Sequence, residues 1–377
     1  MQTFKCCCGH KSMLFFESTQ CTYCKRLTGY SAQLKKVTAF DPTDIVGEFT
    51  CKIDPTVIYK QCQNYTKFQV CNGMIEKKAD APPFCFACHF NNSVPSTAAP
   101  EHINCWRELE TAKRRTLYTI DALGLHIPDR IEDPESGLEF NFKTDRKAKD
   151  HFAIPVKGRT PVMTGHNQGD ITINYAEADE VVRAKAKHSM GEQYRTLLGH
   201  FRHEIGHFYW DQLIANNAEL TTQFRGLFGD ESQSYQDALD HYYTNGAPVN
   251  WEKTYISAYA TMHPWEDWAE TWAHYLHMLD TLETAQSFGL DVQYHSHAQT
   301  DVTDLALPQH KNFYQYQASI ETILSTWIEL TVALNSLNRS MGLDDAYPFV
   351  LYEPIREKIK FVHNAIHGIQ TNTITQE

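Results

Sequence analysis

No stretch of this 377-residue sequence approaches the ~18 consecutive apolar residues that a membrane-spanning helix needs, so no membrane partner is expected. The N-terminus, MQTFKCCCGHKSM, lacks the apolar core and small-residue cleavage site of a secretory signal. Both absences point to the cytoplasm. Positive charge is also in deficit: 34 Lys and Arg stand against 46 Asp and Glu, a net charge of −12 that argues against nucleic acid as a partner. The dense basic run Lys113-Arg114-Arg115 lies in a helical pattern and reads as a solvated helix face. No internal repeat or low-complexity tract is present.

Cysteine is absent from everything beyond Cys105, although the chain has eleven. In a compartment that keeps thiols reduced, so many cysteines confined to one end imply metal binding there and not disulfides. Three zones follow from this distribution. Residues 1–30 form a compact Cys-rich block read as a zinc ribbon. Residues 31–100 read as irregular, with a second four-cysteine zinc-binding region and a Pro/Ser/Ala linker at Ser93–Pro100. Residues 101–377 carry long helical patterns.

In the first zone, Cys6-Cys7-Cys8-Gly-His10 and Cys21-Thr-Tyr-Cys24 are two knuckles of the kind that hold a tetrahedral zinc ion in a segment too small for its own core. Cys21 and Cys24 are clear ligands. In the first knuckle Cys7 and His10 compete, and Cys6 with Cys8 is preferred because neighbouring side chains point apart. In the second zone Cys62, Cys71, Cys85 and Cys88 form an all-sulfur structural set, while Cys51 and Cys105 have no partner at ligand spacing.

In the third zone, helices are expected over Asn104–Leu125, about Gly191–Ala215, from His263-Pro264 onward, near Gln315–Leu337 and over Glu353–His367. Pro264 suits a first helical position. The segment from about Glu132 to Thr164 is polar and reads as wrapping the surface. Gly169–Ala176 alternates Ile171, Ile173 and Tyr175 with polar residues, a strand signal. That strand is expected to border the substrate cleft, where an extended peptide could pair with a free edge.

Within the second of these helices stands His203-Glu204-Ile-Gly-His207. Histidines four apart share one helix face and reach one metal ion, while Glu204 can take a proton from water activated there. A hydrolytic zinc needs a third protein ligand and an open position. Phe-Tyr-Trp-Asp-Gln-Leu after His207 excludes the HExxHxxGxxH solution. Glu266 and Glu270 share a face on the next helix, so one carboxylate can bind the ion while the other orients a ligand histidine; Asp267 is a rival. His274 and His277 extend that face as a supporting polar network. Tyr259 and His263 are candidate transition-state stabilisers, with His241, Tyr242 and Tyr243 in a preceding loop region as further options.

The Glu266–Glu270 pattern resembles the third-ligand helix of gluzincin peptidases, which implies Glu266 as ligand and Glu270 as the residue that orients a histidine. More broadly the chain resembles the zinc-binding metallopeptidases with an N-terminal zinc-ribbon domain. The matching stretches are the Cys-Gly and CxxC knuckles flanking Phe15–Glu17, Cys62-Gln-Asn, Cys71-Asn and Ala112–Arg115. They continue with Gly165–Asn174, Tyr194–Trp210, Phe224–Asp230 and His263–His277. The triple cysteine at 6–8 departs from the pattern. The resemblance implies an α+β fold with a mostly helical zincin-like domain and a small strand element behind zinc-ribbon modules. It also implies zinc-dependent hydrolysis of a peptide or protein substrate with Glu204 as general base. Three Zn2+ ions are expected, one catalytic and two structural, and the ribbon could recruit a protein partner. Two other functions fit the residues: a zinc-ribbon scaffold with an inactive peptidase-like domain, and a zinc hydrolase of non-peptide amides.

Overall fold

The first thirty residues form little regular structure. Strands β1 (Phe4–Lys5) and β2 (Met13–Leu14) pair antiparallel as a two-residue ladder, too short to stand without a further cross-link. The computed structural model describes residues 1–10, 12–143, 164–190, 195–290, 292 and 318–374. Two compact units divide them: Met1–Tyr118 with Ile127–Arg183, and Thr119–His126 with Ala184–Glu377. Among the described residues no helix is long and apolar enough to cross a membrane.

In the first unit, the stretch expected to be irregular is largely a small closed barrel. Strands β3 (Leu27–Ser31), β4 (Lys36–Pro42), β5 (Phe49–Cys51) and β6 (Tyr59–Gln61) are followed by helix α1 (Gln63–Phe68) and β7 (Gly73–Glu76). Antiparallel neighbours run β3-β4-β5-β6-β7, and a parallel pairing of Tyr30 with Gly73 and Ser31 with Met74 closes the ring. Strands of three residues leave too little alternation to be read in sequence. The interior joins Phe40, Tyr59, Tyr65 and Met74 to four cysteines, Cys62, Cys71, Cys85 and Cys88.

Strand β8 (Asn91–Ser93) leads to helix α2 (Pro100–Ala122), whose residues up to Tyr118 belong to this unit. The basic run on α2 is not a solvated face. Lys113 is 0% exposed and pairs with Glu110 at 2.8 Å, and Arg115 pairs with Glu17 at 2.6 Å. Arg114 is 5% exposed, its guanidinium 4.9 Å from the Phe16 ring centre. Lys113 and Arg114 are buried and Arg115 is half-buried, each against a specific neighbour that composition cannot reveal.

Strands β9 (Glu139–Lys143), β10 (Gly165–Asn167) and β11 (Asp170–Asn174) join β8 in a mixed sheet of order β10-β11-β9-β8. Phe140, Phe142, Ile171 and Ile173 supply its buried face. Strand β9 lies inside the segment read as a surface wrap; Phe140 and Phe142 carry its alternation. Strand β11 is flanked by β10 and β9, so the free edge expected of it is already taken. Residues 144–163 lie outside the described set.

The second unit is helical: α3 (Glu180–Met190, from Ala184), α4 (Leu197–Leu213), α5 (Ala218–Phe228), α6 (Tyr235–Asn245), α7 (Pro264–Ser287), α8 (Ile320–Ser340) and α9 (Glu353–Ile374). Thr196 caps α4 by accepting the Gly199 N–H at 2.9 Å. His263 caps α7, and Pro264 occupies its first turn. The two long helices meet at Gly206, where a Cβ would lie 3.1 Å from Ala269 Cα and 3.1 Å from the Trp272 ring. Trp268 Nε1 donates to Gly206 O at 2.8 Å, and Tyr209 stacks on Trp272 with centroids 5.1 Å apart. Close backbone approach at this glycine brings the first turn of α7 beside the middle of α4, which positions the candidate site.

Candidate metal centre

His203 and His207 project from one face of α4, and Glu266 comes from the first turn of α7. Their ligand atoms lie within 4.8 Å of one another. The two Nε2 atoms are 3.2 Å apart. Glu266 Oε2 is 2.9 Å from His203 Nε2, and Oε1 is 3.4 Å from His207 Nε2. Zinc–ligand bonds of ~2.0–2.1 Å in a tetrahedron place donor atoms about 3.3 Å apart, so the three groups span one face of such a tetrahedron.

The tautomer agrees. His203 Nδ1 donates to Glu270 Oε1 at 2.6 Å, which reserves Nε2 as the nitrogen that can ligate an ion once its own proton is displaced. Glu266, 2% exposed, keeps Oε2 buried without a hydrogen bond although His203 Nε2 is beside it. A buried carboxylate oxygen 2.9 Å from a ring nitrogen needs a positive charge at that point, which a proton on His203 or a metal ion supplies. The donor set fits zinc.

The charges are tuned around this point. Burial alone would lower the His203 pKa, but Glu266 and Glu270 outweigh it and hold it well above the usual 6.5. Burial would raise Glu266, yet His207 and His203 keep it well below the carboxylate range. Glu270 is likewise drawn down against burial, to about 2, by the His203 N–H and charge. Both carboxylates stay ionised.

Glu204 behaves differently. It is 7% exposed, and burial raises its pKa above 4.5 even though His203 and His207 pull the other way. No hydrogen bond holds its carboxylate among the described residues, and neither oxygen is sealed from solvent. A carboxylate beside a metal-ligand cluster, unspent and shifted towards neutrality, is suited to take and return a proton. Asp267 is separated from this set: it sits against Lys358 Nζ at 2.6 Å, and burial pushes its pKa up to about 7 despite that cation.

Among the candidate stabilisers, His263 is committed to backbone. Its Nδ1 accepts the Trp265 N–H, and Nε2 faces Gln233 O, each at 3.2 Å. The Tyr259 ring lies 6.0 Å from the His203 ring. The Tyr235 hydroxyl donates to Glu266 Oε1 at 2.9 Å. Burial and then the Glu266 charge raise both phenols, so they remain neutral donors. Tyr235 escaped the sequence reading because its role depends on the α6–α7 crossing, for which spacing gives no signal. His241, Tyr242 and Tyr243, expected in a loop, lie on α6.

Behind the site, Arg202 Nη1 lies 2.6 Å from His277 Nδ1, and the guanidinium also pairs with Asp280. His274 Nδ1 accepts the Tyr347 hydroxyl at 2.8 Å, and burial lowers its pKa to about 4. Asp280 and Tyr347 were not legible as partners of these histidines. Glu270→Ala should weaken zinc affinity about 10–100-fold, because His203 loses the acceptor that orients it. Competition with a fluorescent chelator measures this, and unchanged affinity would refute the orienting role.

Two further clusters are sulfur-only. The thiols of Cys6, Cys8, Cys21 and Cys24 gather within 4.8 Å, as do those of Cys62, Cys71, Cys85 and Cys88. Cys6 Sγ to Cys24 Sγ is 3.8 Å, matching the ~3.8 Å edge of a zinc tetrathiolate with 2.3 Å bonds. Cys7 instead lies 3.6 Å from Arg26 Nη1, and the His10 ring packs at a tilt against Tyr23. At Gly73 a Cβ would meet Cys85 Cβ at 2.3 Å, so the second cluster closes only over a glycine.

Residues 102–365 match the family described as "Putative zinc-binding metallo-peptidase", and residues 3–99 match a zinc-ribbon domain. The chain belongs to that peptidase family. It is similar to an uncharacterized protein of Mycobacterium bovis and to two from Mycobacterium tuberculosis strains. Each is 35% identical over 371 residues, covering 98% of this chain and 96% of the relative. No solved structure matches this chain significantly. The family and ribbon assignments agree with the resemblance drawn from the motifs, and they bring zinc with them.

Proposed function

We propose that this chain is a zinc-dependent metallopeptidase of gluzincin type, with a zincin-like catalytic unit. The observation that carries the reading is the convergence of His203 Nε2, His207 Nε2 and Glu266 on one point, with Glu204 unspent beside it. A zinc ion held there supplies Lewis acidity, acidifying water and polarising a carbonyl. Glu204 accepts the proton of the attacking water as its oxygen bonds to the carbonyl carbon, then delivers that proton to the leaving nitrogen as the C–N bond breaks. Glu270 holds the His203 ring in place, and Tyr235 and Tyr259 offer neutral O–H donors beside the ligand set. Burial of Glu204 favours this cycle, since a carboxyl raised above 4.5 returns a proton more readily.

The sulfur clusters play no part in the chemistry. Their thiolates suit a reducing compartment such as the cytoplasm, where none of the eleven cysteines would be drawn into a disulfide. The zinc-loaded protein, incubated with a diverse peptide library and read by mass spectrometry, should cleave a subset of members and lose that activity on chelation. Failure to cleave any member would favour the scaffold alternative, and cleavage confined to non-peptide amides would redirect the substrate class.

A further inference from the structure

The first compact unit contains a cleft of about 620 Å³ that no part of the peptidase chemistry uses. Its volume is in the range of small-molecule sites, about 300–1,000 Å³. Phe16, Tyr30, Met74, Phe84, Phe90 and Tyr118 supply apolar walls. One buried cation, Arg114, lines it as well.

The position of Arg114 is unusual beside its neighbours. Lys113 has Glu110 and Arg115 has Glu17, but no carboxylate pairs with Arg114 among the described residues. Its contacts are a hydrogen bond to Asn72 Oδ1 and the face of Phe16. Asn72 is itself held by donating to Phe16 O at 2.7 Å and Ser18 O at 2.9 Å, which aims its oxygen at the arginine. A buried guanidinium is costly unless an anion answers it, and one amide oxygen does not. None of its nitrogens is both sealed from solvent and unpartnered, so its remaining N–H groups keep an opening.

We propose that this cleft binds a small apolar monocarboxylic acid, its carboxylate on Arg114 and its hydrocarbon or aromatic body on the apolar walls. The guanidinium fork suits bidentate carboxylate recognition. The other charged groups at the cleft do not compete for it: Lys78 pairs with Glu76 at 3.0 Å, and His89 pairs with Asp129. Exposed Asp80 adds negative charge to the lining, which disfavours a dianion such as phosphate. Strand β7, which forms one wall, is paired on both sides by β3 and β6, so a peptide has no strand edge there to extend. This inference is independent of the peptidase reading. The rival role for Arg114 is to balance the thiolate charge around Cys85, which also lines the cleft.

The test is isothermal titration of the full zinc-loaded protein with decanoate, decanamide and N-acetyl-Ala-Ala-Phe. Decanoate should bind about ten- to hundredfold more tightly than decanamide, which matches its body but lacks the charge. Arg114→Gln should erase that difference with zinc content unchanged, and Arg114→Lys should keep part of it. Equal binding of acid and amide, or binding of neither, overturns the proposal without recourse to a variant. Tighter binding of the tripeptide overturns the small-acid assignment. An Arg114→Gln protein that retains decanoate binding contradicts the role of Arg114. Loss of zinc from that variant, with no preference for acid in the wild type, assigns Arg114 to charge balance alone.

Discussion

Glu204→Gln should lower kcat/KM for any cleaved peptide by about a thousandfold while zinc content stays that of the wild type. The amide is nearly the shape of the carboxylate but cannot accept a proton. No hydrogen bond to the protein is lost, because Glu204 makes none among the described residues, and its neighbours His203 and His207 keep their positions on α4. Removing a buried carboxyl that carries an unfavourable burial shift should leave stability equal or slightly higher. Kinetics against metal content separates this result from simple loss of the ion. A variant that keeps more than about a tenth of wild-type activity would remove Glu204 from proton transfer.

The second large effect concerns Cys71→Ser. Cys71 is buried with Cys62, Cys85 and Cys88 inside the barrel core. Thiolate-bound zinc in small domains contributes on the order of 10–16 kcal/mol to folding, as much as or more than the 5–15 kcal/mol by which whole domains are stable. A serine hydroxyl neither ligates zinc as a thiolate does nor fits an apolar core. The variant should lose one zinc, and its first unit should become a ready substrate for limited proteolysis. Cys7→Ser is the matched control: Cys7 lies outside both four-cysteine groups and should cost little. Equal protease resistance of Cys71→Ser and wild type would show that the cluster does not hold this unit together.

The parts of this arrangement legible in sequence are those governed by local periodicity and chemistry. His263-Pro264 marked the start of α7 because a proline at the first helical position has a conformational reason to be there. His203 and His207 could be paired because helical spacing places i and i+4 on one face. The cysteine groups were readable since thiolates have few other uses in a reduced protein. What escaped notice depends on partners distant in the chain. Barrel strands β5 and β6 are too short for a period, β4 buries four consecutive residues without alternation, and β9 hides Phe140 and Phe142 among polar neighbours. Lys113 and Arg114 look like surface until Glu110, Asn72 and Phe16 surround them. Asp267 and Glu266 are adjacent in sequence, and only Lys358 from α9 shows which faces away from the histidines.

Zinc stoichiometry by inductively coupled plasma mass spectrometry, on the wild type and on His207→Ala, tests the central claim most directly. Three ligand clusters predict three zinc ions per wild-type chain. His207→Ala should lose the one most easily stripped by chelators, together with peptide cleavage, and should keep the two held by cysteine. A His207→Ala protein with the full wild-type complement, or a wild type with no zinc beyond the two cysteine sites, would contradict a metal centre built on His203, His207 and Glu266.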